Sequence, residues 1–219
     1  MPLAIFDLDD TLIDGDSSSL FLRFLVEIGQ ADADMPAREA AMMDDYRAGR
    51  LAMDEYMRFT LQPLQQCATE QVAHWAEVFL RERILPRVFP QAHAALAHYR
   101  DAGWRIVIIS ATGEHLVRPI AAALGVADVL AIRLASADGR YTGQTVDTLT
   151  YQQGKVIRLN EWLAAHGETL DGSHGYSDSI NDVPLLAAVD RAHVVNPDAR
   201  LAVVADERQW HRLAWRSAF

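Results

Sequence analysis

The spacing of apolar residues along this chain changes twice, and each change marks a different kind of structure. An apolar run over residues 3–6 predicts a buried strand. Over residues 17–85, apolar residues recur at three- and four-residue spacings, which is the pattern of amphipathic helices. The stretches with this pattern are residues 20–26, 38–50, 53–61 and 70–83.

From residue 90 onward, helical patterns alternate with strand patterns. Pro90 and Gly103 are typical of the start and end of a helix, and Asp138-Gly139 predicts a hairpin turn into residues 141–143. Helices are predicted at residues 91–102, 113–124, 155–166 and 182–189, and strands at 104–110, 129–136, 175–178 and 192–196. This alternation predicts a parallel sheet that is covered by helices on both faces.

Together these patterns predict an α/β protein with a helical insertion. Residues 1–16 and 86–219 are expected to form a three-layer, Rossmann-like core around a parallel sheet. Residues 17–85 are expected to form a small all-α cap domain, inserted after the first strand. We interpret the Met and aromatic residues of this insertion as its packed core, with substrate contact as the alternative for some of them.

Composition and charge exclude several classes of protein. Half of the 219 residues are hydrophobic, yet no apolar stretch approaches the length that a bilayer requires, so we expect no membrane association. The formal charge of −10 argues against nucleic acid as a partner, because phosphate backbones need clustered Lys and Arg. The N-terminus lacks the pattern of a signal peptide, and Cys67 is the single cysteine, which indicates a cytoplasmic protein without internal disulfides. The oligomeric state cannot be predicted from these features.

Two aspartates directly follow the first strand. Asp7 and Asp9 are two positions apart, so on an extended backbone they point to the same side, while Asp10 points away. Two carboxylates at one strand end repel each other unless a cation lies between them. This arrangement is what a Mg²⁺ site with an adjacent nucleophile requires. The alternative, from this segment alone, is an acidic loop that caps the next helix.

Polar residues also end the later strands. Ser110 ends the second strand, Asp178 ends another and is followed by Asn181 and Asp182, and Lys155 begins a helix between them. Ligands of open parallel sheets bind at the carboxyl ends of the strands, so these side chains are expected to meet there. Taken singly, each has an alternative as a helix cap, a surface charge or a first-turn acid. Together they supply complementary chemistry at one edge of the sheet.

The order of these residues resembles the four sequence motifs of the haloacid dehalogenase superfamily. The segments that carry the resemblance are Asp7-Leu8-Asp9-Asp10-Thr11, then Ser110, then Lys155, and then Asp178-Ser179-Ile180-Asn181-Asp182. The helical insertion after the first motif, with Gly15-Asp16-Ser17 at its start, is similar to the phosphoserine phosphatase-like branch. One position departs from the pattern, since Asp10 stands where many members have glycine.

The resemblance implies a catalytic and a metal-binding role for the aspartates. Asp7 would attack phosphorus and form an aspartyl-phosphate, and Asp9 would act first as general acid and then as general base. Mg²⁺ would bind at Asp7, at Asp9 through its main-chain carbonyl, and at Asp178. Asp182 would support the water ligands of the metal.

The resemblance also implies how the phosphoryl group is held. Ser110, the backbone at Ala111, Lys155 and Asn181 would bind the phosphoryl oxygens, and Thr11 would order the loop. The presence of Asp9 favours a phosphatase over a dehalogenase, because dehalogenation on this fold needs neither a metal nor a second acid. The expected activity is therefore Mg²⁺-dependent hydrolysis of a small phosphate ester.

The insertion is expected to select that ester. Asp16 lies nine residues after Asp7, where phosphoserine phosphatases carry an acidic residue that contacts the substrate amine; a helix N-cap is the alternative. Those enzymes also place an arginine in the cap to bind the substrate carboxylate. Here Thr60 stands at that position, and Arg58 lies on another face of the helix. An amine-bearing phosphate without a carboxylate, such as histidinol phosphate, is therefore as plausible a substrate as phosphoserine.

Two further functions fit the same motifs. A phosphotransferase would pass the phosphoryl group from Asp7 to a second alcohol, and a broad-specificity phosphatase would accept many small esters. A non-catalytic binding protein on this scaffold is disfavoured because both Asp7 and Asp9 are present.

Overall fold

A mostly parallel, seven-stranded sheet with helices on both faces organises residues 1–217, which are the residues that this computed structural model describes. Its strands follow the order β4-β3-β2-β1-β5-β6-β7, and neighbours are parallel except for the antiparallel pair β3–β4. The strands are β1 Leu3–Phe6, β2 Arg105–Gly113, β3 Asp128–Ala137, β4 Arg140–Val146, β5 His174–Ser177, β6 Arg191–Val195 and β7 His211–Leu213. The predicted α/β class is confirmed, and the antiparallel pair is the hairpin that Asp138-Gly139 predicted.

The first strand lies at the centre of the sheet, and every one of its side chains is buried. Leu3 and Ile5 point to one face, where they pack with apolar residues of the helices at Gln153–His166 and Val183–Ala188. Ala4 and Phe6 point to the other face, and the Phe6 ring stacks on Tyr176 with the ring centroids 4.4 Å apart. A strand buried on both faces needs a continuous apolar run, which is why the pattern over residues 3–6 was informative.

The helices follow the predicted periodicity with shifted ends. They are α1 Ser17–Glu27, α2 Met35–Arg47, α3 Met53–Thr60, α4 Thr69–Phe79, α5 Pro90–Asp101, α6 Glu114–Ala123, α7 Gln153–His166, α8 Val183–Ala188 and α9 Ala199–Glu207. α4 ends earlier than expected and continues as a π turn over Leu80–Ile84. β2 runs on to Gly113, so α6 begins at Glu114 rather than at residue 113. Neither β7 nor α9 was predicted, and Asp198 caps α9 by accepting hydrogen bonds from Arg200 and Leu201.

Between β1 and α5 the described chain is helical. Phe21 and Phe24 of α1 pack on Phe79 at the end of α4, with ring centroids 5.1 and 5.7 Å apart. An isolated bridge between Ala68 and Arg140 joins this segment to the β3–β4 hairpin. The proposed cap boundaries at residues 17 and 85 stay a prediction. Among the described residues, no helix combines the length and the apolar character needed to cross a membrane.

Candidate active site

Asp7 lies at the end of β1, where the buried ammonium of Lys155 reaches it. The main-chain N–H of Asp7 donates to the carbonyl of Tyr176 (2.9 Å), which continues the sheet pairing by one residue. Lys155 Nζ donates to Asp7 Oδ1 (2.7 Å) and to Asp182 Oδ2 (2.6 Å). Ser177 Oγ also donates to Asp182 Oδ2 (2.7 Å). Lys155 is therefore a buried charge that joins β1 to the segment after β5, and the surface alternative is wrong.

A close backbone approach places Lys155 at the start of α7. A Cβ atom on Gly154 would lie 1.9 Å from the carbonyl oxygen of Leu149, so only glycine fits there. The adjacent Thr150 Oγ1 donates to the main-chain carbonyl of Ser110 (2.5 Å), which ties this turn to β2. The loop before α7 is thus held against the strand that carries Ser110.

The carboxylate of Asp9 connects the end of β2 to the first residue of α1. Its Oδ1 accepts a hydrogen bond from the N–H of Ser17 (2.7 Å). Its Oδ2 accepts from Thr112 Oγ1 (2.9 Å) and, at a longer 3.4 Å, from Ser110 Oγ. Sequence analysis missed Thr112, although it lies two residues after Ser110 and so shares its side of an extended strand.

A hydrogen bond from Thr11 holds Asp178 next to the first motif. Thr11 Oγ1 donates to Asp178 Oδ1 (3.0 Å), so this buried threonine joins the first and last motifs. Asp10 adopts a left-handed backbone (φ 51°) and is exposed, and it lines a cavity together with Asp9 and Asp178. The turn after β1 is therefore built around three neighbouring carboxylates.

Burial raises the pKa of Asp7, Asp9 and Asp178. The pKa of Asp7 rises to about 7 because it is desolvated, with Lys155 opposing the rise and the charges of Asp182 and Asp9 adding to it. Burial also raises the pKa of Asp9, and it places that of Asp178 well above the usual range, with the Asp7 charge adding to the effect. Burial works against the charged form of Lys155, but Asp182 and Asp7 outweigh it and raise its pKa, so it stays protonated. One ammonium does not compensate these carboxylates.

The oxygens that remain available suit a small divalent cation. Both carboxylate oxygens of Asp9 accept hydrogen bonds, and Asp182 accepts from Lys155 and Ser177 on Oδ2. No hydrogen bond within residues 1–217 reaches Oδ2 of Asp7, Oδ2 of Asp178 or Oδ1 of Asp182. No group of three or more His, Cys, Asp or Glu side chains in this part of the chain is already arranged around a metal position. Mg²⁺ commonly uses one or two carboxylates and completes its shell with water and phosphate oxygens. Two desolvated carboxylates with unused oxygens therefore fit Mg²⁺.

The predicted phosphate-binding residues are brought together only in part. Ser110 is buried and Ala111 lines a small cavity with Asp7 and Asp9. Asn181 instead contacts the end of α2, where its Nδ2 donates to the carbonyl of Tyr46 (3.1 Å). Its Oδ1 accepts from the hydroxyl of Tyr151 (3.1 Å). The phosphate-binding role of Asn181 stays a prediction.

Asp16 combines the two roles that its position suggested. It is the N-cap of α1, since Oδ1 accepts from the N–H of Ser19 (2.7 Å), and it also lines the small cavity with Asp7 and Asp9. Burial raises its pKa to about 8, and the charges of Asp9 and Glu39 add to the rise. The cap role and the cavity role are therefore not alternatives.

α3 presents no cation to this cavity. Arg58 is exposed and forms an ion pair with Asp54 one turn earlier (2.5 Å). The hydroxyl of Thr60 donates to the main-chain carbonyl of Tyr56 (3.1 Å), so it is satisfied within the helix. α3, where Thr60 stands in place of the arginine that phosphoserine phosphatases carry, therefore contributes no arginine to the lining of this cavity.

A wider cavity of about 410 Å³ adjoins the small one and extends between α1, α2 and the end of β5. Asp9 and Asp16 line both cavities, and Glu39 of α2 lines the wider one. Sequence analysis missed Glu39, which is 2% exposed. The signal was present, because Glu39 lies four residues from both Met35 and Met43 and so interrupts an apolar stripe.

Comparison with known proteins agrees with this geometry. Residues 4–187 match the model of the haloacid dehalogenase-like hydrolase family. The chain is 38% identical over 213 residues to a histidinol-phosphatase of Neisseria meningitidis serogroup C, covering 95% of this chain and 96% of that protein. It is 30% identical over 228 residues to a phosphoserine phosphatase of Mycobacterium tuberculosis, covering 98% of this chain and 71% of that protein.

Solved structures show the same fold. A protein of unknown function from Bordetella pertussis Tohama I superposes with a TM-score of 0.89 at 37% identity, covering 97% of each chain. A phosphoserine phosphatase with a phospho-aspartyl intermediate analogue superposes with a TM-score of 0.72 at 19% identity, covering 94% of this chain and 91% of that one. The chain belongs to the haloacid dehalogenase-like hydrolase family.

Proposed function

We propose that this phosphoric monoester hydrolase acts on histidinol phosphate, with Mg²⁺, through an aspartyl-phosphate on Asp7. The observation that carries the substrate is the position of Asp16, a desolvated carboxylate in the same small cavity as Asp7 and Asp9. A cationic amine on the substrate would pair with it, as charge-assisted hydrogen bonds favour. The 38% identity to a histidinol-phosphatase over nearly the full length of both chains supports the same substrate.

The first chemical step uses Asp7 and Asp9. A carboxylate oxygen of Asp7 forms a bond to phosphorus while the bond from phosphorus to the ester oxygen breaks. Asp9 gives its proton to that departing oxygen, and its raised pKa suits a carboxyl group that must hold a proton near neutral pH. Lys155 fixes Asp7 through its Oδ1 and contributes a positive charge where the phosphoryl oxygens gather.

The second step returns the enzyme to its starting state. Asp9, now a carboxylate, removes a proton from water as the water oxygen bonds to phosphorus, and the bond between phosphorus and Asp7 breaks. Asp7 and Asp178 would hold Mg²⁺, which, when bound, neutralises charge on the phosphoryl oxygens. The products are inorganic phosphate and the free alcohol. A phosphotransferase would differ only in the acceptor of this second step.

Phosphoserine is the second candidate, and one observation favours it. Arg23, Arg47 and Arg87 line the wider cavity, and all three are exposed. One of them could pair with the carboxylate of phosphoserine in place of the arginine that α3 lacks. Loss of phosphoserine hydrolysis in Arg23→Ala or Arg47→Ala, with histidinol phosphate hydrolysis kept, would identify that role.

A comparison of substrates tests the proposal. With Mg²⁺, we expect kcat/KM for histidinol phosphate to exceed that for phosphoserine and for an aryl phosphate, with inorganic phosphate as the measured product. Asp7→Asn should abolish release from all three substrates, and denatured wild-type protein quenched during turnover should carry a phosphoryl group that Asp7→Asn lacks. If added alcohols accept the phosphoryl group in place of water, the result would favour the phosphotransferase instead.

We further propose that the enzyme acts in the cytoplasm, where its one cysteine, which is free in the structure, would stay reduced.

A further inference from the structure

Glu39 is a buried carboxylate that the steps above do not use. It lies on the inner face of α2 and is 2% exposed, between the buried Met35 and Met43. Burying a carboxylate is unfavourable unless a positive group or hydrogen-bond donors compensate it. Within residues 1–217, no Lys, Arg or His side chain lies within 4.0 Å of it in an ion pair. Something other than a cation of this part of the chain must therefore account for its burial.

The hydrogen bonds of Glu39 leave one of its oxygens unused. Ser19 Oγ (2.5 Å) and the Tyr56 hydroxyl (3.1 Å) both donate to Oε1. Burial, with the charges of Asp16 and Glu39, holds the pKa of Tyr56 well above its usual range, so this hydroxyl keeps its proton and remains a donor. No described residue donates a hydrogen bond to Oε2, although Glu39 lines the 410 Å³ cavity. An almost fully buried carboxylate thus offers an acceptor to whatever occupies this cavity.

Ser19 holds Glu39 and Asp16 at the same wall. Its N–H donates to Asp16 Oδ1 (2.7 Å) and its hydroxyl donates to Glu39 Oε1 (2.5 Å), so one residue positions both carboxylates. Neither carboxylate has an ion-pair partner within residues 1–217. Two acceptors side by side at one wall fit a ligand with two nitrogen groups better than a ligand with one.

Tyrosine and methionine side chains lie next to Asp16 and Glu39. Met43 and Tyr46 line both the small cavity, which Asp16 shares with Asp7 and Asp9, and the wider cavity, which Glu39 lines. Met53 and Tyr56 line the small cavity, and the Tyr56 hydroxyl also donates to Glu39. Aromatic and thioether side chains pack well against a planar ring and against a cation. The site therefore combines a surface for a ring with acceptors for its N–H groups, close to the proposed nucleophile.

We propose that Glu39 accepts a hydrogen bond from the imidazole N–H of histidinol phosphate while Asp16 pairs with the aliphatic ammonium, so that Glu39 selects substrates that carry a second nitrogen group. This inference rests on the proposed function. Phosphoserine has one nitrogen group, and its carboxylate would be repelled by Glu39. Glu39 would thus act as a specificity residue for the substrate and against phosphoserine.

The test compares Glu39→Gln with Glu55→Gln on four phosphate esters. Glu55 is exposed on α3, so its substitution removes the same charge from the helical segment outside the cavity. The substrates are histidinol phosphate, phosphoserine, phosphoethanolamine, which has the ammonium alone, and an aryl phosphate. We expect Glu39→Gln to lower kcat/KM for histidinol phosphate about tenfold or more, mainly through KM, since a hydrogen bond to a charged group is lost. Phosphoethanolamine and aryl phosphate hydrolysis should stay near wild type, and Glu55→Gln should resemble wild type on all four.

The possible outcomes separate the inference from the proposed function. If wild-type protein does not hydrolyse histidinol phosphate, the proposed function fails. If it does and Glu39→Gln keeps the wild-type kcat/KM, or lowers it equally for all four esters, the role of Glu39 is refuted.

If Glu39→Gln does not fold, inhibition of the wild-type protein by free amines tests the role of Glu39 instead. L-Histidinol should then inhibit aryl phosphate hydrolysis at least about tenfold more strongly than ethanolamine, and histidinol methylated on its ring nitrogens should lose that advantage. Equal inhibition by all three amines would refute the role.

Discussion

Lys155 Nζ lies 2.7 Å from Asp7 Oδ1, and the side chains of both residues are less than a tenth exposed. Lys155 is also the only lysine of the 219-residue chain. The ammonium also donates to Asp182 Oδ2, so a single cation holds the proposed nucleophile and the last motif together. This relationship leads to two predictions about Lys155.

Lys155→Met should destroy activity and destabilise the protein. The substitution leaves Asp7 and Asp182 buried without a counter-charge, which typically costs about 3–5 kcal/mol of unfolding free energy. Urea denaturation monitored by circular dichroism measures the loss, and phosphate release measures the activity. The double variant Lys155→Met with Asp182→Asn should recover part of the stability but none of the turnover. A single variant as stable as wild type would contradict the buried pair.

An amine-reactive reagent should modify the native protein at its N-terminus only. Lys155 is 2% exposed, and its pKa is raised, so it should be both shielded and protonated at pH 8. Mass spectrometry should show a single modified amine in native protein, with activity retained, and two in urea. Rapid labelling of Lys155 with loss of activity would show that this site opens readily in solution.

Asp9→Asn should slow both the formation and the hydrolysis of the aspartyl-phosphate. The amide keeps the shape of the side chain but cannot carry the proton, and a positioned acid–base group contributes at least about a hundredfold. Single-turnover measurements with quenched protein should show slow rise and slow decay of the phosphorylated species. Asp10→Asn, at the neighbouring exposed aspartate, is the matched control and should lose far less activity. Wild-type rates in Asp9→Asn would remove it from the mechanism.

Mg²⁺ should raise the Tm as well as permit turnover. A cation that binds only the folded protein stabilises it by mass action, by about 2.7 kcal/mol at a hundred times its Kd. Thermal denaturation with chelator and then with excess Mg²⁺ measures the shift. Asp178→Asn should reduce the shift in Tm. Asp171→Asn is the matched control and should keep the shift, because Asp171 is exposed and precedes the start of β5, whereas Asp178 follows its end. Full activity in excess chelator would be evidence against the metal.

Asp16→Asn should stabilise the protein increasingly as the pH rises. The folded-state pKa of Asp16 is about 8, above the ordinary 3.8, so between about pH 4 and pH 8 the folded state holds a proton that the unfolded state has lost. The stability from this group is therefore fully present below pH 4 and is lost as the pH rises through 8. Asparagine does not titrate and still caps α1, so its Tm advantage should grow from pH 5 to pH 8.

Asp16→Asn should also hydrolyse aminated substrates less efficiently than wild-type protein does. A charge-assisted contact of this kind contributes roughly 1.5 to 3 kcal/mol, which corresponds to about a ten- to a hundredfold loss of kcat/KM for histidinol phosphate. Aryl phosphate hydrolysis should be spared, because it needs no amine contact. A Tm difference that does not change with pH, or an equal loss on both kinds of substrate, would contradict the assignment.

Local pattern was sufficient for the parts of this protein that depend on neighbours in sequence. The run over residues 3–6 predicted β1 because a strand buried on both faces must be continuously apolar. The positions of Asp7, Ser110 and Asp178 at strand ends predicted that these side chains meet, because the carboxyl ends of parallel strands lie at one edge of the sheet. Their catalytic and binding roles stay a prediction. β7 was missed because His211–Leu213 is short and polar. α9 was missed although Asp198, its N-cap, is a residue type that typically precedes a helix.

Tertiary structure decided what the polar side chains contact. Whether Asp16 caps a helix or lines a cavity is a choice that its position in the sequence leaves open, and in three dimensions it does both. Glu39 is buried because Ser19 and Tyr56, 20 and 17 residues away, supply its donors. Asn181 contacts Tyr46 rather than only its own loop because α2 ends beside it. Such long-range hydrogen bonds have no periodic signature in the chain, since they depend on how separate helices pack and not on how any one of them forms.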